Sequence, residues 1–191
     1  MERPMRGGAS SAHPVGRLGD VVVTAEQIEQ KIGELAAQIT RDYEGREPVL
    51  VCVLKGASVF LADLARRIDL PLRFDFMAIS SYGSATKTSG VVRILKDLDH
   101  EIDGQDVIVV EDIIDSGLTL NYLLRYLKAR RPASLEVVTL FAKEGRQRAK
   151  LNVRYEGFRI GPEFVVGYGL DFQERYRNLG YLAVLEDARG P

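Results

Sequence analysis

Residues 107–119 read Val-Ile-Val-Val-Glu-Asp-Ile-Ile-Asp-Ser-Gly-Leu-Thr. The run opens on apolar β-branched residues, passes through the acidic pair Glu111 and Asp112 and two isoleucines, and ends in a polar turn of Asp115, Ser116, Gly117 and Thr119. A short apolar run followed by turn residues predicts a buried strand running into a loop. Beyond the loop, Leu120, Leu123, Leu124 and Leu127 recur at helical spacing, so strand, turn and helix follow one another as in an α/β unit. Ligands of open α/β sheets bind at the carboxyl ends of the strands, and residues 111–119 hold that position.

A helix start presents unpaired backbone N–H groups and the positive end of the helix dipole, and Gly117 lets the backbone approach an anion closely. Small hydroxyls at Ser116 and Thr119 add donors without bulk. The turn formed by Asp115, Ser116, Gly117, Leu118 and Thr119 therefore suits a phosphate monoester. Three carboxylates beside a phosphate would repel it unless they point at sugar hydroxyls, a ring N–H or a divalent metal. The pattern sketches a site for a phosphorylated sugar next to something protonated.

This stretch resembles the phosphoribosyl-pyrophosphate motif of the type I phosphoribosyltransferases, and its Glu-Asp-Ile-Ile-Asp form resembles the 6-oxopurine branch, the hypoxanthine-guanine phosphoribosyltransferases. The resemblance implies an α/β fold with an open, mostly parallel sheet flanked by helices and a small hood subdomain contributed mainly by the C-terminal segment. It also implies transfer of the 5-phosphoribosyl group from phosphoribosyl pyrophosphate to hypoxanthine or guanine, with magnesium as cofactor and IMP or GMP and pyrophosphate as products. Glu111 and Asp112 would then accept from the ribose hydroxyls and, with Asp171, face the magnesium. Asp115, bordering the phosphate cradle and obliged to aim elsewhere, is the candidate general base toward the purine ring nitrogen.

On the N-terminal side, Thr24 with Gln27 predicts a capping box, and Ile28, Ile32, Leu35 and Ile39 mark one face of a helix lasting to about Tyr43. Residues 49–54 read as a buried strand that ends on Lys55 and Gly56, and Phe60, Leu61, Leu64 and Ile68 give the next helix its apolar face. A lysine at a strand end is more often a solvated cap than a ligand, but this one shares the carboxyl edge with residues 111–119. In the family it resembles, the matching Lys-Gly pair forms a pyrophosphate loop. Strands are further expected at residues 72–80 and 91–95. The polar, glycine-flanked segment between them reads either as a solvated hairpin tip or as a lid, and Ser81 with Tyr82 resembles the start of the family's closing loop.

On the C-terminal side, Arg130 and Arg131 before Pro132 are helix-end cations with a structural role. Residues 135–142 form another expected strand, and Lys143 at its end matches the family's lysine for the exocyclic oxygen of the purine. An ammonium offers donors and no acceptor, so it suits a 6-oxo group and not the 6-amino group of adenine. The cations of residues 146–150 read as a solvated face. Residues 163–171 resemble the base pocket: Phe164 would stack on the purine, Val165 would offer backbone groups to its edge, and Asp171 would face metal and pyrophosphate. Phe164 alone is equally a core residue. Arg177 matches the family's pyrophosphate arginine, and residues 181–185 predict a last strand. Small departures stand at Phe172, Gly180 and Leu118, where relatives often have tyrosine, proline or variable residues. The resemblance spans residues 21–186, with five motifs in the family's order.

With 191 residues and 46% apolar composition, the chain is expected to form one domain over residues 20–191 behind a disordered tail at residues 1–19. The net charge of −1, with signs interspersed, provides no large field for nucleic acid or membrane. The single cysteine, Cys52, lies in an apolar run and fits a reducing cytoplasm. Family resemblance adds a homodimer or homotetramer. His13 and His100 have no Ser or Cys partner for triad chemistry. Two other classes compete: an RNA-binding regulator on the same fold, which predicts a basic surface, and a receiver-like module, which leaves the phosphate turn and residues 164–171 without a role.

Overall fold

The computed structural model describes residues 16–82, 91–145 and 151–186. The expectations for the tail through residue 15, for the lid at residues 83–90 and for the charged run at residues 146–150 lie outside these residues.

Six strands form the main sheet in the order β4-β3-β2-β5-β6-β7. These are β2 (Val49–Leu54), β3 (Arg73–Tyr82), β4 (Val91–Lys96), β5 (Asp106–Ile114), β6 (Ser134–Lys143) and β7 (Tyr155–Ile160). All neighbours pair in parallel except β3 with β4. Strands buried on both faces need no alternation, which is why β2 reads Val-Leu-Val-Cys-Val-Leu with no polar residue. Leu50, Cys52, Ile108 and Val110 point to the face covered by α1 (Ala25–Asp42) and α2 (Ala57–Ala65). Val49, Val51, Val53, Val107 and Val109 point to the other, covered by α3 (Leu118–Lys128).

The helices follow from their patterns. Thr24 and Gln27 make the reciprocal capping box of α1, and Ile28, Ile32, Leu35 and Ile39 are its buried stripe. In α3, Leu120, Leu123 and Leu127 are buried, and Leu124 packs against the same cluster at partial burial.

A second, antiparallel sheet orders β1 (Arg17–Val23), β9 (Leu182–Glu186) and β8 (Val165–Val166). Its Val23, Val165 and Leu182 join the cluster of α1 and α2. Residues 17–19, expected in the tail, are strand residues held by pairs such as Arg17 with Glu186, a partner with no local trace in the sequence.

Strand β5 runs through Glu111 and Asp112 to Ile114, because Glu111, Ile113 and Ile114 keep partners in β6. Its pairing with β2 ends at Val110 opposite Cys52. Past that point β5 has a neighbour on one side only, and a crevice opens between the ends of β2 and β5. This is where the strand order reverses, the switch point at which open α/β sheets bind ligands. Ser81 and Tyr82, expected to open a loop, instead extend β3 opposite Val92 and Val91.

Candidate active site

At the floor of the crevice Gly56 and the turn after β8 meet backbone to backbone: a Cβ at Gly169 would stand 2.3 Å from the Gly56 carbonyl oxygen, an approach that only glycine allows. The end of β5 reaches the same place through a side chain, a Cβ at Gly56 standing 1.8 Å from Asp112 Oδ2. The peptide between Leu54 and Lys55 is cis.

At the end of β5, Gly117 takes the left-handed conformation (φ 74°) as the N-cap of α3 and has no side chain with which to cap it. The Leu118 amide donates to Ser116 Oγ at a long 3.4 Å, a bond that an anion at this helix start can replace. Asp115, Ser116, Gly117 and Thr119 line a cavity of about 250 Å³ together with Glu111, Ile113, Ile114, Val53 and Ile79. The turn is open, as an anion site requires. Leu118 begins α3 beside it with its side chain 40% exposed.

Burial raises the Glu111 carboxyl well above the usual carboxylate range, and its neighbour Asp112 adds to the rise. Burial likewise pushes Asp112 up to about 6, although the Ile113 N–H and the Arg177 charge act the other way. Two adjacent carboxylates disfavoured as anions are a place where a cation, or a donor-rich ligand, is welcome. They do not close into a protein-only cage with Asp171: among the described residues no group of three His, Cys, Asp or Glu could hold a metal. Asp171 is partly engaged, accepting from the Glu174 amide at 2.8 Å and pairing with Arg177 at 2.7 Å.

Across the crevice Arg177 donates to the Gly169 carbonyl at 2.8 Å, which fixes the guanidinium against the same turn that meets Gly56. Lys55 pairs with Glu174 at 3.1 Å. Lys143, the last residue of β6, is buried and lines a separate cavity of about 290 Å³ with Ala142, Glu144, Gly145 and Arg159. Phe164 is 45% exposed, not the core residue that its type alone suggests, and Phe172 meets it edge-on at 5.8 Å. Val165 lies in an edge strand. The Phe164 carbonyl accepts from Leu185 in β9, so by strand alternation the N–H and C=O of Val165 point away from β9.

The structure thus brings Lys55, Gly56, Glu111, Asp112, residues 115–119, Asp171 and Arg177 to one edge, with Lys143 and Phe164 flanking it. Sequence reasoning missed Glu174, Arg159 and the part played by Phe172. Only Phe172 left a trace, as a departure from the family pattern.

A family model described as a phosphoribosyl transferase domain matches residues 20–173. The chain is 52% identical over 177 residues to the hypoxanthine-guanine phosphoribosyltransferase of Mycobacterium avium, covering 90% of this chain and 87% of that one. The chain belongs to the hypoxanthine-guanine branch of the phosphoribosyltransferase family. Among solved structures, the hypoxanthine-guanine phosphoribosyltransferase of Bacillus anthracis superposes with a TM-score of 0.85 at 48% identity, covering 88% of this chain and 99% of that one. A hypoxanthine phosphoribosyltransferase of Staphylococcus aureus gives the same TM-score at 46% identity, covering 88% and 92%. The mostly parallel sheet flanked by helices is thus the type I phosphoribosyltransferase fold.

Proposed function

We propose that the chain is a purine salvage enzyme that transfers the 5-phosphoribosyl group from phosphoribosyl pyrophosphate to hypoxanthine or guanine, releasing pyrophosphate and IMP or GMP. The observation that carries this reading is the open cavity at the amino end of α3, lined by the turn of residues 115–119 and by Glu111. The family relationship supports it.

In this reading the amides and hydroxyls of residues 115–119 hold the 5′-phosphate and so fix the sugar over β5. Glu111 and Asp112 accept from the ribose hydroxyls, and in their ionised forms, which a nearby cation favours, they stabilise the cationic sugar that develops as the C1–pyrophosphate bond breaks. Asp115 takes the proton from the purine ring nitrogen as that nitrogen bonds to C1. Lys55, the Gly56 backbone and Arg177 hold the departing pyrophosphate. Lys143 donates to the 6-oxo group, Phe164 stacks on the ring, and the outward backbone groups of Val165 read its edge. Ser81 and Tyr82 lead into the lid.

Glu111, Asp112 and Asp171 are an all-oxygen donor set, two of them disfavoured as anions by burial, and this fits a hard cation such as magnesium completed by water and substrate oxygens. When bound, the ion neutralises charge on the pyrophosphate. No helix among the described residues is long and apolar enough to cross a membrane. A reducing cytoplasm suits the buried Cys52, whose thiol burial pushes up to about 12. A homodimer or homotetramer is in keeping with the exposed Phe74 and Leu95 on β3 and β4.

Pyrophosphate release, measured with phosphoribosyl pyrophosphate, magnesium and each of hypoxanthine, guanine, xanthine and adenine, tests the proposal. Release with hypoxanthine or guanine and none with adenine is expected. Release with adenine, or with neither hypoxanthine nor guanine, refutes it.

A further inference from the structure

The turn at residues 172–175 carries a side chain that the assignments above leave over. Phe172 and Arg175 exchange both backbone hydrogen bonds, at 3.2 and 3.1 Å, so Gln173 and Glu174 form a two-residue hairpin loop. Both have left-handed backbones, with φ of 53° and 61°. Such a loop favours Asn-Gly, because a Cβ in that conformation is strained. Here the second position is a glutamate, and strained residues persist where the surrounding structure or the function needs their side chains. The contacts of Glu174 supply a reason. Its Oε2 lies 3.1 Å from Lys55 Nζ and 3.4 Å from Arg177 Nη2, the two cations assigned above to pyrophosphate. Its own amide is tied to Asp171, which fixes where the side chain starts.

Resting on that assignment, we propose that Glu174 is an internal counter-anion for the pyrophosphate cations. It holds Lys55, and shares Arg177 with the closer Asp171, when pyrophosphate is absent; it yields both cations when a pyrophosphate group arrives and re-forms its pairs as the product leaves. Lys55 and Glu174 are 68% and 64% exposed, so their pair is weak and a multiply charged ligand displaces it. The device keeps two cations oriented at the crevice mouth while weakening the grip on both donor and product, and it leaves the purine pocket untouched.

The test compares the full chain with its Glu174→Gln, Lys55→Met and doubly substituted variants, in the presence of magnesium. The readouts are the inhibition constant of pyrophosphate, KM for phosphoribosyl pyrophosphate, KM for hypoxanthine and kcat. Glu174→Gln is expected to lower the first two by about two- to fivefold, the strength of an exposed ion pair. KM for hypoxanthine stays unchanged, a split that a general loss of structure would not produce. The tightening shrinks in the Lys55→Met background. Unchanged or weaker pyrophosphate binding in Glu174→Gln overturns the proposal, as does an equal tightening without Lys55. If Lys55→Met binds pyrophosphate as tightly as the unaltered chain, the underlying assignment fails and the counter-anion with it. If Lys55→Met weakens binding while Glu174→Gln changes nothing, only the counter-anion fails.

Discussion

Burial raises both Glu111 and Asp112, and for Asp112 the rise to about 6 fixes the sign of a pH effect. The folded, ligand-free protein holds a proton on Asp112 that the unfolded chain releases near the ordinary aspartate value. The stabilisation from that proton is complete below about pH 4 and is lost as pH rises through about 6. In chelator, Asp112→Asn is therefore expected to raise the stability of the ligand-free protein by about 1–2 kcal/mol at pH 7–8, allowing for solvent screening, with the gain vanishing toward pH 4. Denaturant unfolding across pH checks this, and a pH-independent difference would show that burial of the charge is not the cause. Asp115 tests the chemistry. Asp115→Asn keeps the shape of the turn, so nucleotide binding should persist while kcat falls by roughly 10²- to 10⁴-fold. Undiminished turnover would remove Asp115 from its role. The motif was legible at this scale because residue type and spacing carry it. The Glu174 contact was not, since Lys55 lies far from it in the chain and a lone glutamate in a polar segment reads as solvated.

Helices α1 and α3 were legible because their apolar stripes and, for α1, its capping box are local properties. Strand β7 was not. Its Tyr-Glu-Gly-Phe-Arg-Ile mixes two charges with a glycine, and only the sheet explains that glycine: a Cβ at Gly157 would stand 2.3 Å from the Leu140 carbonyl oxygen. Two glycine substitutions separate local freedom from local need. Gly117, at φ 74°, has no strain-free alternative, and Gly117→Ala is expected to cost about 1 kcal/mol of stability and to raise KM for phosphoribosyl pyrophosphate more than KM for the base. Gly180 has no left-handed backbone, and a Cβ there would meet only Ala25, at 3.9 Å. Gly180→Ala should therefore stabilise by about 0.4–1 kcal/mol with activity unchanged, through a less disordered unfolded chain. Thermal denaturation with steady-state kinetics decides both, and equal stability losses at the two positions would contradict the argument.

The small sheet shares one apolar cluster with α1, α2 and the strands of the main sheet, so the described chain is expected to unfold in a single transition, with fluorescence and circular dichroism coincident. The proposed site draws on both sheets. Phosphoribosyl pyrophosphate with magnesium at about a hundred times its Kd should accordingly raise Tm by roughly 5–10 °C without splitting the transition, and a chelator should abolish most of the gain. Two separate transitions would mean that the sheets are not one folding unit. The sequence by itself determined the α/β class, the buried strands at β2 and β5, the helices that follow them and the glycine turn before α3, because burial on both faces, helical spacing and a glycine turn are written in neighbouring residues. Only the tertiary structure decided that β5 outruns β2 to open the crevice, that β1 joins β9 and β8 in a second sheet, that Phe164 stands exposed, and that Glu174 meets Lys55 and Arg177. These depend on which strands lie side by side and how far their pairing extends, and that is set by packing between segments remote in sequence.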